Sequence, residues 1–205
     1  MRLEIQIMNT ETDTKTHTET MKINEQGYGA FAKILHWGMA LMVIILISVG
    51  TYMTGLDKAD PTKMQIMGMH KSFGVIFMQL AIIRVIWSRL NNSPKLPNVL
   101  ATWEKLLSKT ITGSLYLLML AIPFSGYAMT NLFGYPVSLF GLVDLPVIFG
   151  KNPDIGMLAK QAHGLLVYTL IAALFAHIAG ALKHRFLDKP EADVLSRMLP
   201  IKPRV

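Results

Sequence analysis

The stretch that decides the fold is residues 162–182, AHGLLVYTLIAALFAHIAGAL, which carries no Asp, Glu, Lys or Arg but contains His163 and His177. About 20 apolar residues are enough for a helix to cross a bilayer. An ionisable side chain inside such a segment is rare, because hydrocarbon solvates it poorly, and it therefore marks a functional position. This stretch predicts a membrane-spanning helix with two functional histidines at different depths.

Three further stretches of similar length are almost bare of charge, at residues 32–53, 68–87 and 110–129. Hydrophobic residues make up 52% of the chain and charged residues only 16%, which is typical of a polytopic membrane protein rather than a soluble core. Four spans cannot close a β-barrel, so only helices satisfy the backbone hydrogen bonds. We therefore predict the fold class as all-α, an integral membrane four-helix bundle.

Polar segments flank the bundle, which we predict to occupy residues 28–187 as a single transmembrane domain. Residues 1–27 are rich in Thr and contain no apolar run, which predicts a disordered cytoplasmic tail rather than a signal peptide. Residues 188–205 are predicted to form a cytoplasmic C-terminal tail. Residues 130–160 are interrupted by prolines, so we expect a cap on the membrane surface rather than a further span.

The positive charges predict the orientation of the bundle. Residues 1–33, 84–109 and 183–205 carry fifteen of the 20 Lys and Arg side chains. The other connections carry five, namely Lys58, Lys63, Lys71, Lys151 and Lys160. The positive-inside rule then places both termini in the cytoplasm. A net charge of +7 beside apolar spans suits anionic lipid head groups, so we expect membrane lipid and no nucleic acid as a partner.

With that topology, four histidines form two pairs at matched depths. His36 and His177 lie toward the cytoplasmic side, and His70 and His163 lie toward the outer side. His163 and His177 are 14 residues apart, which is within about 40° of four whole turns and corresponds to a rise of roughly 21 Å. Both rings of this helix therefore share one face, and each pair draws its members from two different helices.

Two imidazoles at one depth are the axial ligands that a haem needs. A single histidine in a span more often makes a hydrogen bond between helices, but two depth-matched pairs favour haem binding. Zinc would require further ligands, and the spans provide no Asp, Glu or Cys. Because the chain has no cysteine, iron–sulfur clusters and covalently attached haem are excluded. We predict two bis-histidine haems, whose closed coordination favours electron transfer over oxygen binding.

Arg84 is a further candidate for cofactor binding. It follows His70 by 14 residues and so lies on the same helix face at the cytoplasmic depth. A guanidinium there would pair with a propionate of the inner haem. The alternative is that Arg84 extends to the cytoplasmic lipid head groups.

The chain resembles the bacterial cytochrome b-561 family of four-helix di-haem membrane cytochromes over residues 28–200. The segments that carry the resemblance are YGAFAKILHW, MGMHKSFG, IIRVIW, LYLLMLAIPFSGY, HGLLVY, LFAHIAGALKH and LSRMLP. The resemblance implies that His36, His70, His163 and His177 hold two haem b groups in a bacterial inner membrane. One departure is Thr112, which stands where family members often have a further histidine that is not a haem ligand.

The resemblance also implies electron exchange with membrane quinone, ubiquinone being the expected acceptor. Some relatives oxidise periplasmic superoxide and reduce ubiquinone, and others serve a partner dehydrogenase, a hydrogenase or a periplasmic redox protein. Lys71 and Lys160 adjoin the outer pair, and a basic surface there would attract an anion such as superoxide. These lysines equally suit lipid head groups. We favour the quinone-linked superoxide oxidoreductase, with no catalytic residue assigned. An electron-transfer subunit is the alternative, and a histidine-lined transporter would lack haem absorbance.

Overall fold

The structure is a computed structural model and describes residues 27–91, 94–199 and 201; the predicted N-terminal tail lies outside the described residues except for its last position. The described chain forms four long helices, α1 (Ala30–Gly55), α2 (Lys63–Leu90), α3 (Thr102–Leu132) and α4 (Pro153–Phe186). Each is long and apolar enough to cross a membrane, with mean hydropathy between 1.4 and 2.1. The prediction of an all-α four-helix membrane bundle is confirmed.

Each helix is longer than the apolar stretch that predicted it. Hydropathy marks only the part of a helix that lies in hydrocarbon, whereas the backbone hydrogen bonds continue into the polar flanks. At the start of α4 the side chain of Asn152 accepts the N–H of Ile155 at 3.2 Å, and Pro153 occupies the first turn, where its missing N–H does no harm. The predicted cap over residues 130–160 is therefore shorter than expected, because α3 continues to Leu132 and α4 begins at Pro153.

The remaining connection between α3 and α4 folds over one end of the bundle. It contains a hairpin of β1 (Ser138–Leu139) and β2 (Val143–Asp144), whose turn includes Phe140 and Gly141 at positive φ. The fully buried Ser72 of α2 accepts the backbone N–H of Phe140 at 2.9 Å and so fastens this hairpin to the bundle. We call this end the His70 end, and the opposite end, where α1 begins and α4 finishes, the His36 end.

A layer of apolar side chains separates the two ends. Val43, Phe77 and Leu170 are buried together in the core cluster, along with Met39, Ala81 and Leu118. Val43 lies seven residues after His36, Phe77 seven after His70, and Leu170 seven after His163. Because seven residues make almost two helical turns, the polar positions and the core positions share one face on each of these three helices.

The outer surface of the helices is apolar, as expected for contact with lipid. Large hydrophobic side chains such as Ile34, Leu165 and Phe175 are each about 70% exposed or more. A soluble monomer rarely exposes a continuous apolar surface of this extent. The chain is therefore a multi-pass membrane protein.

The segment after α4 packs against the His36 end instead of forming an extended tail. Two short 3-10 turns, Pro190–Ala192 and Leu195–Arg197, follow α4. The indole N–H of Trp37 donates to the carbonyl of Met198 at 3.0 Å, which ties this segment to α1. The buried Asp193 forms an ion pair with Arg185 of α4. Hydrogen bonds and one ion pair thus hold the described part of the predicted C-terminal tail to the bundle.

Asp193 should control the attachment of this segment. Burial raises the pKa of Asp193, but hydrogen bonds from Arg185 and Ser196 outweigh burial and leave the pKa below its ordinary value of 3.8. The attachment is therefore complete above that value and is lost as the pH falls through the lowered pKa. Asp193→Asn should release the segment at neutral pH and speed amide hydrogen exchange over residues 190–199 by about tenfold, since a buried charge-assisted bond is lost.

The matched control is Asp144→Asn, which changes an exposed carboxylate in the hairpin at the other end of the bundle. It should leave exchange over residues 190–199 unchanged. Equal exchange in the Asp193→Asn variant and the unaltered protein would show that this ion pair does not hold the segment.

Candidate functional site

The first histidine pair meets at the His36 end, although its members come from helices that are not closely packed. The ring centres of His36 on α1 and His177 on α4 are 6.3 Å apart. The extensive packing within the described chain is between α1 and α2, α2 and α3, and α3 and α4. Two imidazoles bound to one metal ion have ring centres roughly 6 Å apart, given metal–nitrogen bonds of about 2 Å. The pair therefore has the separation that a shared metal requires.

Arg84 points into this end of the bundle rather than toward lipid. Its Nη2 lies 3.0 Å from Nδ1 of His36, and its guanidinium carbon lies 5.9 Å from the ring centre of Tyr116. A guanidinium can only donate, so Nδ1 of His36 is the acceptor in this contact. Arg84 also lines a cavity of about 210 Å³ together with Tyr116, Trp87 and Ser88. This arrangement places a fixed positive charge beside the first histidine pair.

The second histidine pair lies at the His70 end. His70 of α2 and His163 of α4 line one cavity of about 40 Å³, together with Lys71, Gly126 and Val137. Val137 belongs to the connection that folds over this end, and it is almost fully buried. The α2 and α4 helices, like α1 and α4, are not among the closely packed pairs of the described chain. Both pairs therefore join helices that have few close backbone contacts with each other.

Two glycines let neighbouring helices approach the rings of this second pair. A Cβ atom added at Gly50 of α1 would lie 3.1 Å from Cε1 of His70, and one added at Gly126 of α3 would lie 3.3 Å from Cε1 of His163. Both distances are tighter than ordinary van der Waals contact. Each histidine of the pair is thus held against the bare backbone of an adjacent helix.

The two rings differ in their hydrogen bonds. Nδ1 of His163 lies 3.0 Å from the carbonyl oxygen of Ile122 and 2.9 Å from Oγ of Ser125. Nδ1 of His70 is the one buried side-chain polar atom of the described residues that has no hydrogen-bond partner. A buried polar atom without a partner is costly, and in a functional site it indicates a group that binds there. The chemistry of both pairs, two imidazoles with no carboxylate or thiolate beside them, fits haem iron better than zinc.

A different group of potential ligands lies near the His36 end but does not resemble a metal centre. Oxygen or nitrogen atoms of Glu104, His184 and Asp188 lie within 4.8 Å of one another. The ammonium of Lys183 occupies the middle of this group, 2.7 Å from Glu104 and 2.8 Å from Asp188. His184 is buried and bonds Asp188 at 2.6 Å. The group is a salt-bridge network that joins α3 to the end of α4.

The site and the fold together define a class of protein, a membrane-embedded four-helix bundle that presents paired histidines to a cofactor. The sequence profile described as prokaryotic cytochrome b561 matches residues 27–200. The protein called cytochrome b561 homolog 2 from Escherichia coli (strain K12) is 32% identical over 173 residues, which cover 84% of this chain and 90% of that protein. The chain belongs to the prokaryotic cytochrome b561 family, whose cofactor is haem b and whose function is electron transfer across the membrane.

The structure brings together the residues that the sequence analysis paired and adds others that it missed. His36 meets His177 beside Arg84, and His70 shares a cavity with His163. The contacts of His163 with α3 were not predicted, although Pro123, Ser125 and Gly126 form an unusual cluster for an apolar span. Thr112 is exposed on the outer surface of α3 and takes no part in either pair.

Gly50→Val should disturb the second pair without disturbing the rest of α1. The added side chain would force the ring of His70 away, and overpacking of this kind costs roughly 1–3 kcal/mol. We expect a lower midpoint of thermal unfolding in detergent. Gly38→Val is the matched control, because it lies on the same helix, makes the same change in helix propensity and has no atom within 4 Å of the added Cβ. Equal losses of stability in the two variants would contradict the close approach.

Proposed function

We propose that this protein carries electrons across the membrane through two haem b groups, one at each histidine pair. His36 and His177 would hold one haem, and His70 and His163 would hold the other. When bound, haem supplies reversible one-electron chemistry, and the protein supplies imidazole ligands, burial and nearby charge that set the potentials. The single observation that carries this proposal is the pairing of histidines at both ends of the bundle, each across helices that are not closely packed.

Arg84 supports the assignment at the His36 end. Ligation of a metal through Nε2 of His36 would leave the proton on Nδ1, which then could not accept from Arg84. The guanidinium would then be available for a carboxylate, and arginine pairs with carboxylates through two parallel hydrogen bonds. We therefore propose Arg84 as the partner of a haem propionate at this end.

The physiological orientation follows from the charge distribution. Most of the Lys and Arg side chains of the described residues lie toward the His36 end, so we propose that this end faces the cytoplasm of a bacterial inner membrane. The cavity beside Arg84 and Tyr116 combines donors with aromatic walls. Such a lining suits the polar ring and apolar tail of a quinone, and this supports exchange of electrons with ubiquinone.

Among possible electron donors we favour superoxide at the His70 end. Oxidation of two superoxide ions to dioxygen releases two electrons, and ubiquinone takes up two electrons and two protons to become ubiquinol. Lys71 supports this choice because its half-buried side chain lines the cavity beside His70 and His163. The other lysines are less directly placed: Lys63 donates to the carbonyl of Leu56, the stem of Lys151 lies against Gly134, and Lys160 is exposed.

Removing one α4 ligand at a time tests the two-haem assignment. His163→Ala and His177→Ala should each lose about half of the haem absorbance, and the two lost spectral components should differ, because one imidazole cannot hold a six-coordinate haem at either end. His184→Ala is the control, since this residue lies on the same helix but outside both pairs. Full absorbance in either test variant would contradict the assignment.

Lys71→Gln tests the donor. In purified protein a pulse of superoxide should reduce the haems rapidly, and the variant should be slower by about tenfold at low salt, with a weaker dependence on ionic strength. Lys58→Gln is the control, because Lys58 is exposed in the α1–α2 connection at the same end. Failure of superoxide to reduce the unaltered protein would exclude this activity and favour the role of an electron-transfer subunit for a partner enzyme.

A further inference from the structure

The ring nitrogen Nδ1 of His163 lies close to two oxygen atoms of α3. The carbonyl of Ile122 can only accept a hydrogen bond, so Nδ1 of His163, 3.0 Å away, must carry a proton. The hydroxyl of Ser125 donates its own proton to the same carbonyl at 2.7 Å. Its lone pairs are therefore free for Nδ1 of His163 at 2.9 Å. Two oxygens of α3 thus accept from a single ring nitrogen of α4.

Two neighbouring residues of α3 bring these acceptors to His163. The side chain of Ser125 reaches back to the carbonyl of Ile122, three residues before it. Gly126 has no side chain to keep the ring of His163 away from α3. Together they place the hydroxyl and the carbonyl directly beside the imidazole.

We propose that Ser125 is a positioning residue that supplies a second acceptor for the Nδ1–H of His163, beside the carbonyl of Ile122, and lowers the reduction potential of the haem at the His70 end. With the proton held on Nδ1, the lone pair of Nε2 is left for iron. A hydrogen bond accepted from Nδ1–H makes an imidazole a stronger donor to its metal. Stronger donation stabilises ferric over ferrous iron, and hydrogen bonding around the axial ligand is a recognised determinant of haem potential.

The two histidines of this pair differ in the hydrogen bonds that support them. His70 has no acceptor for its buried Nδ1, so the protein reinforces only one of the two ligands. Loss of Ser125 would therefore weaken the better-supported ligand. Because the hydrogen bonds of Ser125 go to Ile122 and His163 at the His70 end, the haem at the His36 end should not respond to a change at Ser125. This inference rests on the proposed assignment of the two haems.

The experiment is a spectroelectrochemical titration of the full-length protein with Ser125→Ala, Ser125→Thr and Ser48→Ala. The haem lost in His163→Ala identifies the His70-end component. In Ser125→Ala that component should titrate at a higher potential, its ferric low-spin resonance should shift, and its haem should dissociate about tenfold faster. Ser125→Thr keeps the hydroxyl and should restore the original values.

Ser48→Ala is the matched control, because Ser48 bonds the carbonyl of Ile44 on α1 at 2.9 Å and its side chain is exposed on the outer surface. Should Ser125→Ala not fold, Ser125→Cys replaces the hydroxyl by a thiol, which is a weak acceptor, and the potential should rise to a smaller extent. Unchanged potentials in a Ser125 variant that retains both haems would overturn the inference. Retention of all pigment in His163→Ala would instead refute the haem assignment itself, whatever Ser125 does.

Discussion

The whole architecture depends on the cost of placing an imidazole ring in an apolar bundle. Each ring has two nitrogens that need partners, and hydrocarbon provides none. The protein meets this need differently at each position. His163 is supported by two oxygens of α3, His36 accepts from Arg84, and His70 keeps one buried nitrogen without a partner. In the proposed assignment, these unequal environments would give the two haem sites different properties.

A spacing of seven residues places functional side chains at both ends of the same helix. His163, Leu170 and His177 follow one another at this spacing, so a buried apolar residue separates the two histidines on one face of α4. Phe77 occupies the corresponding place between His70 and Arg84 on α2. The apolar layer separates the two ends of the bundle in space. In the proposed assignment the two haem sites would remain distinct while lying roughly 21 Å apart along one helix.

The sequence predicted the features that follow from periodicity and composition. Helix number follows from apolar length, and the pairing of His36 with His177 and of His70 with His163 follows from their depths in the spans and the helical repeat. For Arg84 the sequence left an inward position and a position at the lipid head groups open, and the contact with His36 decides for the first. The contacts of Ser125 and Gly126 with His163 could not be predicted, because the rotation of α3 against α4 depends on side-chain packing along both helices. The start of α4 at Pro153 was missed because hydropathy does not register a polar helical turn. Attachment of the C-terminal segment depends on Arg185 and Asp193, whose meeting no local pattern indicates.

We propose that each end of this bundle binds one haem b between imidazoles of two helices. The most direct test is the molar ratio of haem to polypeptide in protein purified in mild detergent, determined from the pyridine haemochrome spectrum and quantitative amino-acid analysis. We expect two b-type haems per chain. A ratio of one, or protein without haem after expression with sufficient haem supply, would contradict it.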